Sequence, residues 1–102
     1  MKFDISNLKK QIEAVFHADA PPPHGFREVF ETFLTLLESG EIRAAEPTTR
    51  GWQVCSWVKQ GILLGFRSGV LQVSAAGPFS FVDKDTFPPR RFDSGQGVRV
   101  VP

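Results

Sequence analysis

An α+β fold, with helices first and short strands after, is predicted by three features of this 102-residue sequence. Apolar residues recur every three to four positions as far as Leu37, the period of helices with one buried face. After Gly40 the period drops towards two, as in strands. Turn-forming clusters at 47–51, 76–78 and 88–97 then divide the rest into short pieces. The predicted order is an N-terminal helical hairpin, a β-hairpin, a third helix and short irregular strands, all in a single domain over residues 1–102. A chain of this length buries roughly two-thirds of the surface its unfolded form exposes, enough for one core.

Ile5, Leu8, Ile12, Val15 and Phe16 form one stripe and predict a helix over about 5–17. Asp4 or Ser6 suits its N-cap, because a short side-chain oxygen accepts from the free amides of the first turn. Pro21-Pro22-Pro23 lack amide donors and stop the helix. A second helix is predicted over about 25–39, with Phe26, Val29, Phe30, Phe33, Leu36 and Leu37 on one face. Gly40 suits its end, since glycine enters the left-handed region cheaply. Glu41–Glu46 against Trp52–Cys55 reads as a β-hairpin, about 41–55, turning at Pro47–Gly51.

The run from Trp57 to Arg67 is dense enough in apolar residues for a buried strand. Its length favours a helix over 57–67, with Ser56 available as cap. On a helix, Gly61 and Gly65 lie on one face and admit another backbone closely, at a propensity cost of ~1 kcal/mol each. Val70–Val73 and Phe79–Val82 predict short strands around Ala76-Gly77-Pro78. Asp83–Gly97 reads as an extended surface segment, and Val98–Val101 resumes strand propensity. Trp52 and Trp57 are expected in the core.

Composition excludes several classes. The apolar fraction of 41% and charged fraction of 23% are those of a globular chain, not a disordered one. No apolar run reaches the ~18 residues a membrane-spanning helix needs. The N-terminus lacks a secretory apolar region, so the cytoplasm is the expected address. A single cysteine, Cys55, forms no intrachain disulfide. The formal net charge of +1 argues against a dedicated nucleic-acid binder. Residues 1–46 nevertheless carry five basic and eight acidic side chains, and residues 47–102 seven basic and three acidic. Ten Phe and no Tyr predict an aromatic core without hydroxyls.

The residues show no active site by themselves. His17 and His24 are too few for a metal centre, which needs three or four ligands in reach. Cys55 reads as a small hydrophobe rather than a thiol nucleophile. Gly95-Gln96-Gly97 lacks the lysine and following helix of a phosphate loop. Asp83, Asp85 and Asp93 read as turn residues rather than an acid–base pair. Arg90-Arg91 beside Phe87 and Phe92 is a weak basic-aromatic strip. No catalytic residue, metal or bound cofactor is predicted.

Ser39 to Arg67 is the informative stretch. It runs Ser-Gly-Glu-Ile-Arg-Ala-Ala-Glu, reaches Trp52 and then Trp57, and continues Trp-Val-Lys-Gln-Gly-Ile-Leu-Leu-Gly-Phe-Arg. Phe81-Val82-Asp83-Lys84 and Val98-Arg99-Val100-Val101-Pro102 follow. Together these segments closely resemble the N-terminal domain of the tetrahydrodipicolinate N-succinyltransferases. The family shows Ser-Gly-x-Leu/Ile-Arg-x-Ala-Glu, the same tryptophan spacings, Tyr-Phe-Asp-Lys and Phe-Arg-Val-Val-Pro. Gln60, Gly61, Gly65 and Phe81 depart from the usual residues, and the stretch between Arg67 and Val98 is a few residues short.

The resemblance implies a domain that precedes a left-handed β-helix of hexapeptide repeats, which this sequence lacks. It implies a full-length homotrimer that moves succinyl from the co-substrate succinyl-CoA to the dicarboxylate acceptor tetrahydrodipicolinate, in the diaminopimelate and lysine pathway. The 102 residues are then expected to be inactive alone, and to use neither nucleic acid nor membrane. It implies that Arg99 binds the dicarboxylate acceptor, and gives Arg43, Lys59, Arg67 and Lys84 structural or interfacial places. The alternative is a stand-alone module that binds a protein or nucleic acid through its Phe-rich helices or Arg90-Arg91.

Overall fold

The computed structural model describes residues 4–18 and 20–101. Met1 to Phe3 and the Pro102 of the final motif lie outside them. Among the described residues, two consecutive helices, α1 (Ile5–His17) and α2 (Phe26–Ser39), lead into an antiparallel hairpin, a third helix, α3 (Ser56–Ser68), and a second antiparallel hairpin. The first hairpin pairs β1 (Ala45–Thr48) with β2 (Gly51–Val54), the second β3 (Leu71–Ala76) with β4 (Phe79–Lys84). A single 3-10 turn, Ser94–Gln96, follows. No β-helix is present among the described residues.

Each helix begins and ends where local chemistry requires. Of the two candidate caps for α1, Asp4 is used: its carboxylate accepts from the Asn7 amide at 3.2 Å. Gly40 ends α2 at φ 84°, a conformation costly for any residue with a Cβ. Its amide donates to Leu37, and the Ile42 amide returns to Leu36, so the chain leaves the helix with its last carbonyls partnered. The expected cap of α3 was Ser56, but Ser56 is its first helical residue. Cys55 holds the cap position without a side-chain bond.

α3 is the surface on which the other two helices pack. Phe16 near the end of α1 lies under Arg67 near the end of α3, whose guanidinium sits 5.3 Å from the ring centre. Ile5 at the start of α1 shares a surface cleft with Cys55, Trp57 and Val58 at the start of α3, so the two helices run in the same direction. α2 runs against both. Leu8 and Ile12 of α1, Phe26, Phe30, Phe33 and Leu36 of α2, Ile42, and Val58 and Leu64 of α3 form one buried cluster. Full burial of each large apolar side chain contributes roughly 1.5–3 kcal/mol.

Gly61 and Gly65 do lie on the buried face of α3. What fills the notch is aromatic rather than backbone. The Phe33 ring occupies the space beside Gly61, and Phe30 and Phe87 the space beside Gly65. Phe87 meets Phe30 edge-on at 5.5 Å and Phe66 at 4.6 Å between ring centres. The core is thus aromatic and free of phenolic hydroxyls, as the Phe-rich composition predicted.

The hairpins differ from expectation at their boundaries. Pro47 and Thr48, expected in the turn, are strand residues paired with Trp52 and Gly51, which leaves Thr49-Arg50 as a two-residue turn. Glu41–Ala44 lie outside the strand, because Ile42 is drawn into the helical core instead. Trp57 packs edge-on against Phe33 as a core anchor, whereas Trp52 is 68% exposed and stacks under Arg43 at 5.8 Å. The second hairpin is longer than predicted and turns at Gly77-Pro78, with Gly77 at φ 59°. Positive φ before a proline has the sign pattern of a type II′ turn, which suits strand twist. Val98–Val101 pairs with no strand among the described residues despite its β-branched residues, and it lies exposed.

Candidate functional site

The region between α2, the end of α3 and the root of the second hairpin is the most tightly tied part of the surface. Asp85 follows β4 directly, and its carboxylate accepts from the Val70 amide at 2.9 Å and from Arg27 Nη1 at 3.2 Å. Arg27 Nη2 also donates to the Asp85 carbonyl at 3.1 Å. The Thr86 hydroxyl, buried, donates to the Gly65 carbonyl at 2.6 Å. Lys84 Nζ donates to the Gly69 carbonyl at 3.3 Å. Three consecutive side chains therefore fasten the hairpin root to the helices, and Phe87 then plugs the Gly65 notch. Arg27 and Asp85 are 58 residues apart, and no spacing rule brings them together.

The amide of Val70 is the main reason the Asp85 carboxyl is held below its ordinary value of 3.8; partial desolvation opposes this and Arg27 reinforces it. The folded chain therefore keeps Asp85 ionised at a lower pH than the unfolded chain does. Its contribution to stability is complete above the ordinary carboxylate range and is lost as pH falls through the depressed value. Asp85→Asn is expected to flatten the acid side of a plot of Tm against pH. An unchanged acid slope would assign that slope to other carboxylates.

The residues singled out from sequence are scattered rather than gathered. Arg99 lies exposed in the irregular segment after the 3-10 turn and forms no ion pair among the described residues. Its guanidinium presents a fixed fork of donors to solvent, the geometry that matches a carboxylate at two points. Arg43 and Arg67 cover the Trp52 and Phe16 rings, and Lys84 serves the hairpin root, so these three have structural contacts. Lys59 is exposed on α3.

The other candidates have local duties. His17 packs edge-on against Phe16, and His24 is exposed in the turn before α2. Cys55 is half-buried at the start of α3. Asp83 accepts from the amide of Lys84, and Asp93 with Gln96 forms a capping box around the 3-10 turn, not a phosphate loop. Arg90 stacks over Phe92 at 5.1 Å, but Phe87 is turned into the core, which breaks the supposed aromatic strip. No group of three metal-ligating side chains occurs among the described residues. No helix there is long and apolar enough to cross a membrane. The geometry offers no catalytic constellation among the described residues, and Arg99 shares its lack of an ion pair with Arg43, Arg50, Arg67, Arg90 and Arg91.

Residues 7–68, from α1 to the end of α3, match the family model described as tetrahydrodipicolinate N-succinyltransferase N-terminal. The chain belongs to this family. The match covers the three helices and the first hairpin, the part that builds the core around Gly61 and Gly65. Relatives named 2,3,4,5-tetrahydropyridine-2,6-dicarboxylate N-succinyltransferase extend the similarity through the second hairpin. The one from Alkalilimnicola ehrlichii is 35% identical over 107 residues, 96% of this chain. Those from Rhizobium rhizogenes and Brucella ovis are 33% and 36% identical over 97% and 99% of it. The chain spans 39% of the length of each of these succinyltransferases and corresponds to the N-terminal domain of the family.

Proposed function

We propose that this chain is the N-terminal domain of a longer enzyme that moves a succinyl group from succinyl-CoA to tetrahydrodipicolinate, on the path to diaminopimelate and lysine. The reading rests on one observation, similarity to N-succinyltransferases over nearly the whole chain but 39% of their length. The enzyme would work in the cytoplasm as a homotrimer, with catalysis carried by the part that follows residue 102. In this reading Arg99 binds the dicarboxylate acceptor. An exposed guanidinium that forms no ion pair among the described residues supports that role, since no carboxylate of the described chain holds it.

The test compares the 102-residue chain with the product of its uninterrupted coding sequence in an assay for thiol release from succinyl-CoA. The longer chain is expected to turn over and the shorter one is not; turnover by the 102 residues would overturn the division of labour. In the longer chain, Arg99→Ala should raise the KM for the acceptor about tenfold or more, from loss of ~1.5–3 kcal/mol of charge-assisted bonding. The KM for succinyl-CoA should stay the same. An unchanged acceptor KM removes Arg99 from the site.

A further inference from the structure

The second hairpin presents two unequal faces. Directly paired residues share a face, so Leu71, Val73, Ala75, Ser80, Val82 and Lys84 line one side, and Gln72, Ser74, Ala76, Phe79, Phe81 and Asp83 the other. The second side forms a cleft with Phe87, Pro88 and Pro89, although its Phe79 and Phe81 stay 63% and 54% exposed. On the first, Leu71, Val73 and Val82 are between 61 and 71% exposed, and no described residue covers them. Two strands by themselves are marginal in water and need a third strand or a packed layer. The root is fastened at Asp85, Thr86 and Phe87, but the blade is not.

The whole chain shows the same shortage of cover. Its accessible surface is 8097 Å², against about 5,700 Å² for a compact monomer of this mass. Its radius of gyration is 15.8 Å, against about 13 Å. The excess, about 2,400 Å², is larger than the roughly 800 Å² that one partner contributes to a standard protein interface. Relatives similar over 96–99% of this chain are more than twice its length, so material able to supply the missing layer exists in the same polypeptide. Tethering places it at high effective concentration.

We infer that the Leu71–Val73–Val82 face of the second hairpin is the docking surface for the C-terminal remainder of the longer chain. This rests on the reading of the 102 residues as the N-terminal domain of such a chain. Docking supplies the hairpin's missing apolar layer and fixes the orientation of the segment carrying Arg99, which leaves the hairpin through Phe87.

Hydrogen exchange at the cross-strand amides of 71–84, measured on the 102-residue chain and on the longer chain, tests it. Exchange should be about a hundredfold slower in the longer chain. Val73→Lys with Val82→Glu, opposite charges at directly paired positions, should leave the Tm of the short chain unchanged, since both positions are exposed there, and return exchange in the longer chain to the short-chain rate. A longer chain that transfers succinyl while its hairpin exchanges as fast as in the short chain overturns the docking surface and leaves the enzymatic reading intact. A protected hairpin in a chain without transfer does the reverse. Protection that appears in the short chain as its concentration rises assigns the face to a second copy and also overturns the proposal.

Discussion

Phe30→Ala should cost about 3–5 kcal/mol, the range for removing a fully buried aromatic ring. Phe30 is completely buried and sits at the crossing of the whole core: Phe26 is 6.5 Å away between ring centres, Phe33 5.8 Å and Phe87 5.5 Å. It also fills the notch beside Gly65. Its loss opens a cavity that three rigid rings cannot close together, and removes the contact that seats Phe87. A domain of this size has a total stability of roughly 5–15 kcal/mol, so the variant loses between about a fifth of that margin and all of it. Urea unfolding followed by tryptophan fluorescence measures it, with Trp57, half-buried against Phe33, as the reporter. A shift in midpoint worth less than about 1 kcal/mol would mean that the neighbouring rings collapse into the space.

Gly65→Ala carries the second large effect, and its sign is decided by two opposing magnitudes. Alanine in place of glycine inside a helix gains about 1 kcal/mol in propensity. Against this, the added methyl would lie 2.6 Å from Phe30 Cε1 and from Phe87 Cζ, inside van der Waals contact, and against Phe30 Cζ as well. Overpacking a filled core costs about 1–3 kcal/mol and more where the neighbours are held. Phe30 is held on every side and Phe87 is anchored by the Thr86 and Asp85 bonds next to it. The clash wins, and a net loss of about 2 kcal/mol is expected. The cause is identifiable in a double-mutant cycle: combined with Phe30→Leu, Gly65→Ala should be markedly less damaging. Equal damage in both backgrounds would move the clash elsewhere.

Much of the fold is written in local pattern. The stripes of α1 and α2 need only a helical period, Asp4 and Gly40 mark their ends by chemistry acting within four residues, and the proline run stops α1 through its missing amides. These features predict themselves because neighbours in the chain carry the whole interaction. The strands are less legible for the same reason. Pro47 reads as a turn residue from composition, yet its pairing with Trp52 depends on where the chain turns back. Ile42 alternates like a strand residue, but burial against the helices outweighs pairing.

The family motif around Ser39–Arg67 and Val98–Val101 names the region that matters without explaining its geometry. Arg99 could be singled out from its motif alone, while its exposure on an unpaired segment could not, since Val98–Val101 has strand propensity and no partner strand. Gly61 and Gly65 announce a close approach by their four-residue spacing. That the occupants are the rings of Phe33, Phe30 and Phe87 follows only from how α2 and the hairpin root cross α3. The Arg27–Asp85 bond and the bare face of the second hairpin belong to the same class. Helix positions and ends come from interactions within a turn, which the order of residues states outright. Contacts between residues about twenty to sixty positions apart depend on how packed elements meet, and that is settled only when the core closes.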